Sequence, residues 1–203
     1  MTICGSSAGG HLALNMAMTM NEPKYQPGFE EVDTTLNAAV VWYPAVNVNQ
    51  KISNILFSED GESHCRAAQL EASPLHAVET CRFPCPLKFM VIQSASDMLT
   101  PVEETREFVA ALEKRLGREH AFIAAECDKV CYLEVPRARH AFDIMHDVRS
   151  WLCNAAQARF LEHAHKLHRV NSIPKFSRVM SPQRTQSLPV GAGLELLGSA
   201  ETA

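Results

Sequence analysis

Apolar residues in this chain fall into short continuous runs separated by longer amphipathic stretches. Residues 38 to 44, Ala-Ala-Val-Val-Trp-Tyr-Pro, are apolar throughout and end in proline, the form of a strand buried on both faces. Leu87-Lys88-Phe89-Met90-Val91-Ile92-Gln93 is a second such run, entered through Pro84 and Pro86. A third, Val130-Cys131-Tyr132-Leu133-Glu134-Val135, alternates more and stops at Pro136. Near the amino end, Met1 to Cys4 is a short apolar piece. A glycine-serine cluster follows and gives way to His11-Leu12-Ala13-Leu14-Asn15-Met16-Ala17-Met18, a run of strong helix formers. That order predicts strand, turn and helix.

Helical periodicity fills two of the intervals. Pro101 stands at the start of a helix whose Phe108, Val109 and Leu112 share one face, with Glu103, Glu104, Arg106 and Glu107 in its first turns and Gly117 as its stop. A last amphipathic helix is predicted from Asp143 to His168. Arg118 to Lys129 reads as a polar surface loop, and the mixed segment from Ala45 to Pro86 predicts no clear element. Strands alternating with helices imply right-handed crossovers and a mostly parallel sheet, an α/β fold.

Length and composition bound this picture. With 203 residues, 46% hydrophobic and 21% charged, the chain suits one folded domain. From about Asn171 the sequence turns rich in Ser, Pro, Gly, Arg and Gln without periodicity, which divides it into a folded part, 1–170, and a disordered tail, 171–203. A net charge of -4 leaves no basic footprint, so nucleic acid and anionic membrane surfaces are poor partners and a neutral small molecule is a better one. There is no transmembrane segment and no leader-like start, which points to the cytoplasm.

The seven cysteines are odd in number and scattered, unlike a secreted disulfide framework, so reduced thiols are expected. Cys81 with Cys85 and Cys127 with Cys131 form C-x3-C pairs rather than the usual zinc spacing, and they read as small buried hydrophobes. His163, His165 and His168 read as a solvated helix face. No metal and no cofactor are called for.

The chemistry concentrates in three places. Gly5-Ser6-Ser7-Ala8-Gly9 fits G-x-S-x-G, in which the serine occupies a sharp strand-to-helix turn and flanking glycines let the backbone pass without clashes. A serine hydroxyl needs a base to remove its proton and an acid to orient that base. Asp97 follows the second buried run, and His140 follows the third, so both fall at the carboxyl ends of strands, where sites form in open α/β sheets. The order Ser, Asp, His is the one such a fold requires. Taken alone, Asp97 also suits a helix-cap residue ahead of Pro101, and His140 a loop histidine without a role. His120, in a polar loop, and His146, within the predicted helix, are less well placed as bases.

Gly5-Ser6-Ser7-Ala8-Gly9-Gly10-His11-Leu12-Ala13 closely resembles the elbow of the hormone-sensitive-lipase-like esterases and their feruloyl-esterase-like relatives. Ala72-Ser73-Pro74-Leu75 is similar to that family's connection into the acid-bearing strand, Ser96 to Glu103 to its acid segment, and Leu133 to Asp143 to its histidine segment. The resemblance covers about residues 3 to 165. It implies an α/β-hydrolase fold, with Ser7 as nucleophile, Asp97 as orienting acid, His140 as general base and then acid, and the Ala8 N–H in the oxyanion hole. The implied reaction is hydrolysis of a small-molecule carboxylic ester through an acyl-enzyme, with neither cofactor nor metal.

One departure matters. The family's His-Gly-Gly loop, which supplies the remaining oxyanion donors, lies upstream of the elbow, and only six residues precede Ser7 here. The expectation is therefore the carboxyl-terminal part of the fold, with an exposed sheet edge open to a partner chain or a second copy. Two other readings stay open: a catalytically impaired relic acting as a binding or interaction module, and a serine peptidase with the same triad.

Overall fold

The computed structural model describes residues 1–49, 62–81, 87–116 and 129–172. Its centre is a sheet of four parallel strands, β1 (Thr2–Ser6), β2 (Ala38–Trp42), β3 (Lys88–Ser94) and β4 (Val130–Val135), in the spatial order β1-β2-β3-β4. Ser6 stands opposite Trp42, Trp42 opposite Ile92, and Ile92 opposite Leu133, so the carboxyl ends of all four strands line up along one edge.

The two continuous apolar runs are strands buried along their whole length, as their composition predicts. Their alternation sorts side chains into two cores. Ala39, Val41, Phe89 and Val91 face α1 (Ala8–Met18) and a later helix, meeting Leu14, Ala17, Phe108 and Leu112. Ala38, Val40, Trp42, Met90 and Ile92 face the other way, onto Cys153, Phe160 and Ala164 of the last helix. Trp42 ties the second layer further by donating its indole N–H to Gln157 Oε1 at 2.6 Å. In β1, Ile3 packs on the first core while Thr2, Cys4 and Ser6 are exposed.

Two helices lie in the mixed segment from Ala45 to Pro86, where the sequence does not place any clearly. These are α2 (Glu62–Ala72) and α3 (Pro74–Thr80). They are short and lack a broad apolar stripe; Leu70 is exposed, and Val78 is the large aliphatic residue that α3 buries. Tertiary bonds fix their junction instead: Ser73 Oγ accepts the Val48 N–H at 2.9 Å and donates to the Gln69 carbonyl at 2.6 Å, and the Leu75 N–H reaches the Val46 carbonyl at 2.9 Å. Proline at the first turn of α3 costs nothing, since that N–H has no helical acceptor.

The helix after Pro101 is α4 (Val102–Leu116), with Phe108, Val109 and Leu112 buried as expected. The last helix, α5, spans Val148–Ser172 rather than beginning at Asp143. Phe142–Ile144 form a separate 3₁₀ turn, and Asp147 caps α5 by accepting the Ser150 N–H at 2.9 Å. This helix also runs through Asn171 and Ser172, two residues past the expected start of the tail. The predicted tail beyond Ser172, the helix stop at Gly117 and the polar loop up to residue 128 lie outside the described residues.

Among the described residues no helix is long and apolar enough to cross a membrane. Cys4, Cys81 and Cys153 are free thiols; Cys131 and Cys153 are buried, whereas Cys4 is exposed on β1.

Candidate active site

Ser7 links β1 to α1 in a conformation few side chains adopt, with φ 54° and ψ -121°. Its N–H donates to the Trp42 carbonyl at 2.9 Å, and its carbonyl accepts the His11 N–H at 3.0 Å as the first helical bond. Of the two motif glycines only Gly5 needs this clearance, and Gly10, just past the motif, shares it. A Cβ on Gly5 would stand 2.2 Å from the Gly9 carbonyl oxygen, and one on Gly10 would meet Gly5 O and Pro44 Cβ, each at 3.2 Å. A Cβ on Gly9 would meet nothing within 4 Å. Gly5 and Gly10 therefore carry the steric requirement, while Gly9 contributes its backbone.

The structure brings Ser7, His140 and Asp97 together. Ser7 Oγ lies 2.8 Å from His140 Nε2, and His140 Nδ1 lies 2.8 and 3.0 Å from the two carboxylate oxygens of Asp97. With acceptors only on the Asp97 side, Nδ1 carries the proton and Nε2 is left to accept from the serine hydroxyl. The Asp97 side chain is wholly buried and that of His140 is 17% exposed. Asp97 Oδ1 also accepts the N–H groups of Leu99 and Thr100, each at 2.9 Å, so one carboxylate bonds both the loop that follows it and His140.

Bonds between the two loops fix the histidine relative to the acid. Ala95 N–H donates to the Val135 carbonyl, Ser96 N–H to the Ala138 carbonyl and Ser94 Oγ to the Arg139 carbonyl, each at 3.0 Å. The left-handed residue Ala141, at φ 59°, then turns the chain into the 3₁₀ segment.

Ala8 is the first residue of α1, where a backbone N–H has no intrahelical acceptor and the helix dipole favours negative charge. His146 is exposed and outside this cluster, and His120 lies outside the described residues. His165 is exposed as expected of a solvated face, whereas His163 is only partly so; the His168 side chain lies outside the description. Among the described residues no three His, Cys, Asp or Glu side chains are grouped to hold a metal ion.

Two polar groups at the site are not singled out by the sequence pattern. His11 is 4% exposed; its Nδ1 donates to the Ala45 carbonyl at 2.8 Å, and its Nε2 accepts from Asn15 Nδ2 at 3.0 Å. Asn15 Nδ2 also reaches the Ala72 carbonyl at 3.1 Å, which ties the elbow helix to α2. Its i,i+4 spacing from His11 is the one available sequence signal. Tyr43, one residue past β2, sets its ring edge-on to His140 and donates its hydroxyl to Asp143 Oδ1. An open cleft of about 990 Å³ between α1, α2 and α3, with Met18, Lys24 and Glu71 in its walls, does not include the triad residues.

No family profile matches this chain. In sequence it is similar to three proteins of Mycobacterium tuberculosis. A probable carboxylic ester hydrolase, LipM, is 29% identical over 185 residues, covering 86% of this chain and 39% of that protein. Esterase LipQ is 33% identical over 170 residues, 79% of this chain and 37% of the relative. The chain thus spans about two fifths of the length of the curated relatives it matches.

In structure it is similar to the thermophilic esterase Est2 of Thermogutta terrifontis in its propionate-bound form, with a TM-score of 0.54 at 20% identity over 84% of this chain and 56% of that one. It is also similar to an acetyl ester-xyloside bifunctional hydrolase of Caldicellulosiruptor lactoaceticus, with a TM-score of 0.53 at 19% identity over 76% and 53%. The parallel sheet, the strand-turn-helix elbow and these neighbours define the α/β-hydrolase fold, represented here by β1 to β4 and their flanking helices. The sequence relatives carry the names of esterases and of a probable carboxylic ester hydrolase, and the chain is similar to them over about four fifths of its own length.

Proposed function

We propose that this chain carries the nucleophile, base and acid of a carboxylic-ester hydrolase that works through an acyl-enzyme. The observation that carries the proposal is the unbroken hydrogen-bond path from Ser7 Oγ through His140 to the buried carboxylate of Asp97. His140 Nε2 takes the hydroxyl proton as Ser7 Oγ attacks the ester carbonyl, and Asp97 stabilises the resulting imidazolium. The oxygen of the tetrahedral intermediate faces the Ala8 N–H at the positive end of α1. Collapse expels the alcohol, which receives the proton from His140, and leaves an acyl-Ser7 ester. Water then attacks that ester with His140 again accepting the proton, and the carboxylic acid departs as Ser7 recovers its own.

The names of the relatives support an ester rather than a peptide as substrate. The test uses the 203-residue chain with a short-chain nitrophenyl ester. A burst of nitrophenol, one equivalent per chain and absent from Ser7→Ala, is the expected result. Equal release by both proteins, or by neither, would end the proposal.

A further inference from the structure

Tyr43 combines features that core packing alone does not require. It is 2% exposed and holds φ at 35°, a left-handed conformation that is uncommon for a bulky aromatic residue and is kept where surrounding contacts over-determine it. Its N–H donates to the Ile92 carbonyl at 2.6 Å, and its carbonyl accepts from Thr100 Oγ1 at 3.3 Å. Its ring centroid is 4.7 Å from that of His140 at an interplanar angle of 61°. Its hydroxyl donates to Asp143, in the 3₁₀ turn that follows His140. Burial, reinforced by the Asp143 hydrogen bond, holds the phenol well above its ordinary pKa, so it stays a donor.

These contacts reach His140 from two directions in the chain. Thr100, whose hydroxyl Tyr43 engages, accommodates Asp97 through its N–H and stands 3.5 Å from His140 Nδ1 at its Oγ1. Asp143 lies three residues after His140, in a turn closed by the Ile144 N–H to Ala141 carbonyl bond at 3.2 Å. We propose that Tyr43 is a positioning residue for His140: its ring braces the imidazole edge-on while its hydroxyl, through Asp143, pins the turn that aims Nε2 at Ser7. A phenylalanine would fill the same volume and keep the ring contact; only the hydroxyl distinguishes positioning from packing. This inference rests on the triad reading of the proposed function.

The experiment compares wild type, Tyr43→Phe, Asp143→Leu, Asp143→Asn and the double variant Tyr43→Phe/Asp143→Leu. One readout is turnover of a short-chain nitrophenyl ester; the other is the downfield proton resonance of His140 Nδ1–H, which needs no activity. Tyr43→Phe is expected to lower kcat by about tenfold with KM within about twofold, and to broaden the resonance while leaving the fold intact. Asp143→Leu should match it, the double variant should be no worse than either, and Asp143→Asn, whose amide oxygen still accepts, should recover most of the loss. A Tyr43→Phe protein with wild-type kcat and a sharp wild-type resonance would overturn the inference. If wild type itself lacks turnover, the proposed function fails, and the resonance alone then decides the role of Tyr43.

Discussion

His140 Nε2 lies 2.8 Å from Ser7 Oγ across a sequence separation of 133 residues. Two unrelated strand ends produce that contact. Ser7 is held at the carboxyl end of β1 by its bond to the Trp42 carbonyl, and His140 follows β4, whose exit is stitched to the acid loop by Ser94 and Ser96. The sheet supplies the distance and the loops supply the aim.

In the proposed mechanism Asp97 orients that histidine by accepting from Nδ1. Asparagine at 97 keeps an oxygen for the Leu99 and Thr100 N–H groups, so the loop should hold. Its amide can also donate to Nδ1, which would leave the proton on Nε2 and remove the acceptor Ser7 needs. Asp97→Asn is expected to retain a melting temperature close to wild type while ester hydrolysis falls about a thousandfold or more. Parallel melting curves and kinetics check both halves, and a large loss of stability would show that Asp97 is mainly a loop cap.

The elbow glycines are unequal. Gly5→Ala forces a Cβ into the Gly9 carbonyl, with backbone on both sides and no flexible side chain to yield, so little folded protein is expected. Gly9→Ala meets open space and should leave the melting temperature unchanged or slightly higher, since alanine is the better helix former. Soluble yield and thermal melts of the two variants provide the comparison; equal tolerance would contradict the close approach.

Much of this was legible in the sequence, for a physical reason. β2 and β3 are buried on both faces, so their composition alone marks them, and the candidate site residues Ser7, Asp97 and His140 follow β1, β3 and β4 at one edge of the sheet. The helices α2 and α3 were not legible, because bonds from Ser73 and Val46 hold them rather than an amphipathic stripe. The start of α5 was misplaced by five residues because the apolar period continues through Phe142 and Ile144, while a left-handed Ala141 and the Asp147 cap break the helix there. Tyr43 gave no signal at all: its partner Asp143 is 100 positions away.

The Asp147 cap gives a pH-dependent prediction. Its carboxyl is held below the usual value, first by the Ser150 N–H and then by Arg149. A depressed acid contributes stability above its unfolded pKa of about 3.9 and loses it as the pH falls through the lower folded value. Asp147→Ala should therefore melt earlier than wild type near neutral pH, and the gap should narrow in acid below about pH 3.9. A gap that is constant across that range would mean the charge is not involved.

Phe160 packs α5 onto the face of the sheet formed by Val40, Trp42, Met90 and Ile92, and is 1% exposed. Truncation there leaves a cavity in the second core. Phe160→Ala should destabilise the fold by about 3–5 kcal/mol, read as a lower urea midpoint. A loss under about 1 kcal/mol would indicate that α5 is not part of the cooperative core.

The central claim is that Ser7 is a nucleophile activated by His140. It is tested most directly by intact-mass measurement of the chain after treatment with a fluorophosphonate. One adduct per chain, mapped to Ser7 and lost in both Ser7→Ala and His140→Ala, is the predicted result. A folded protein that takes up no adduct, or takes it up at another residue, would contradict the account.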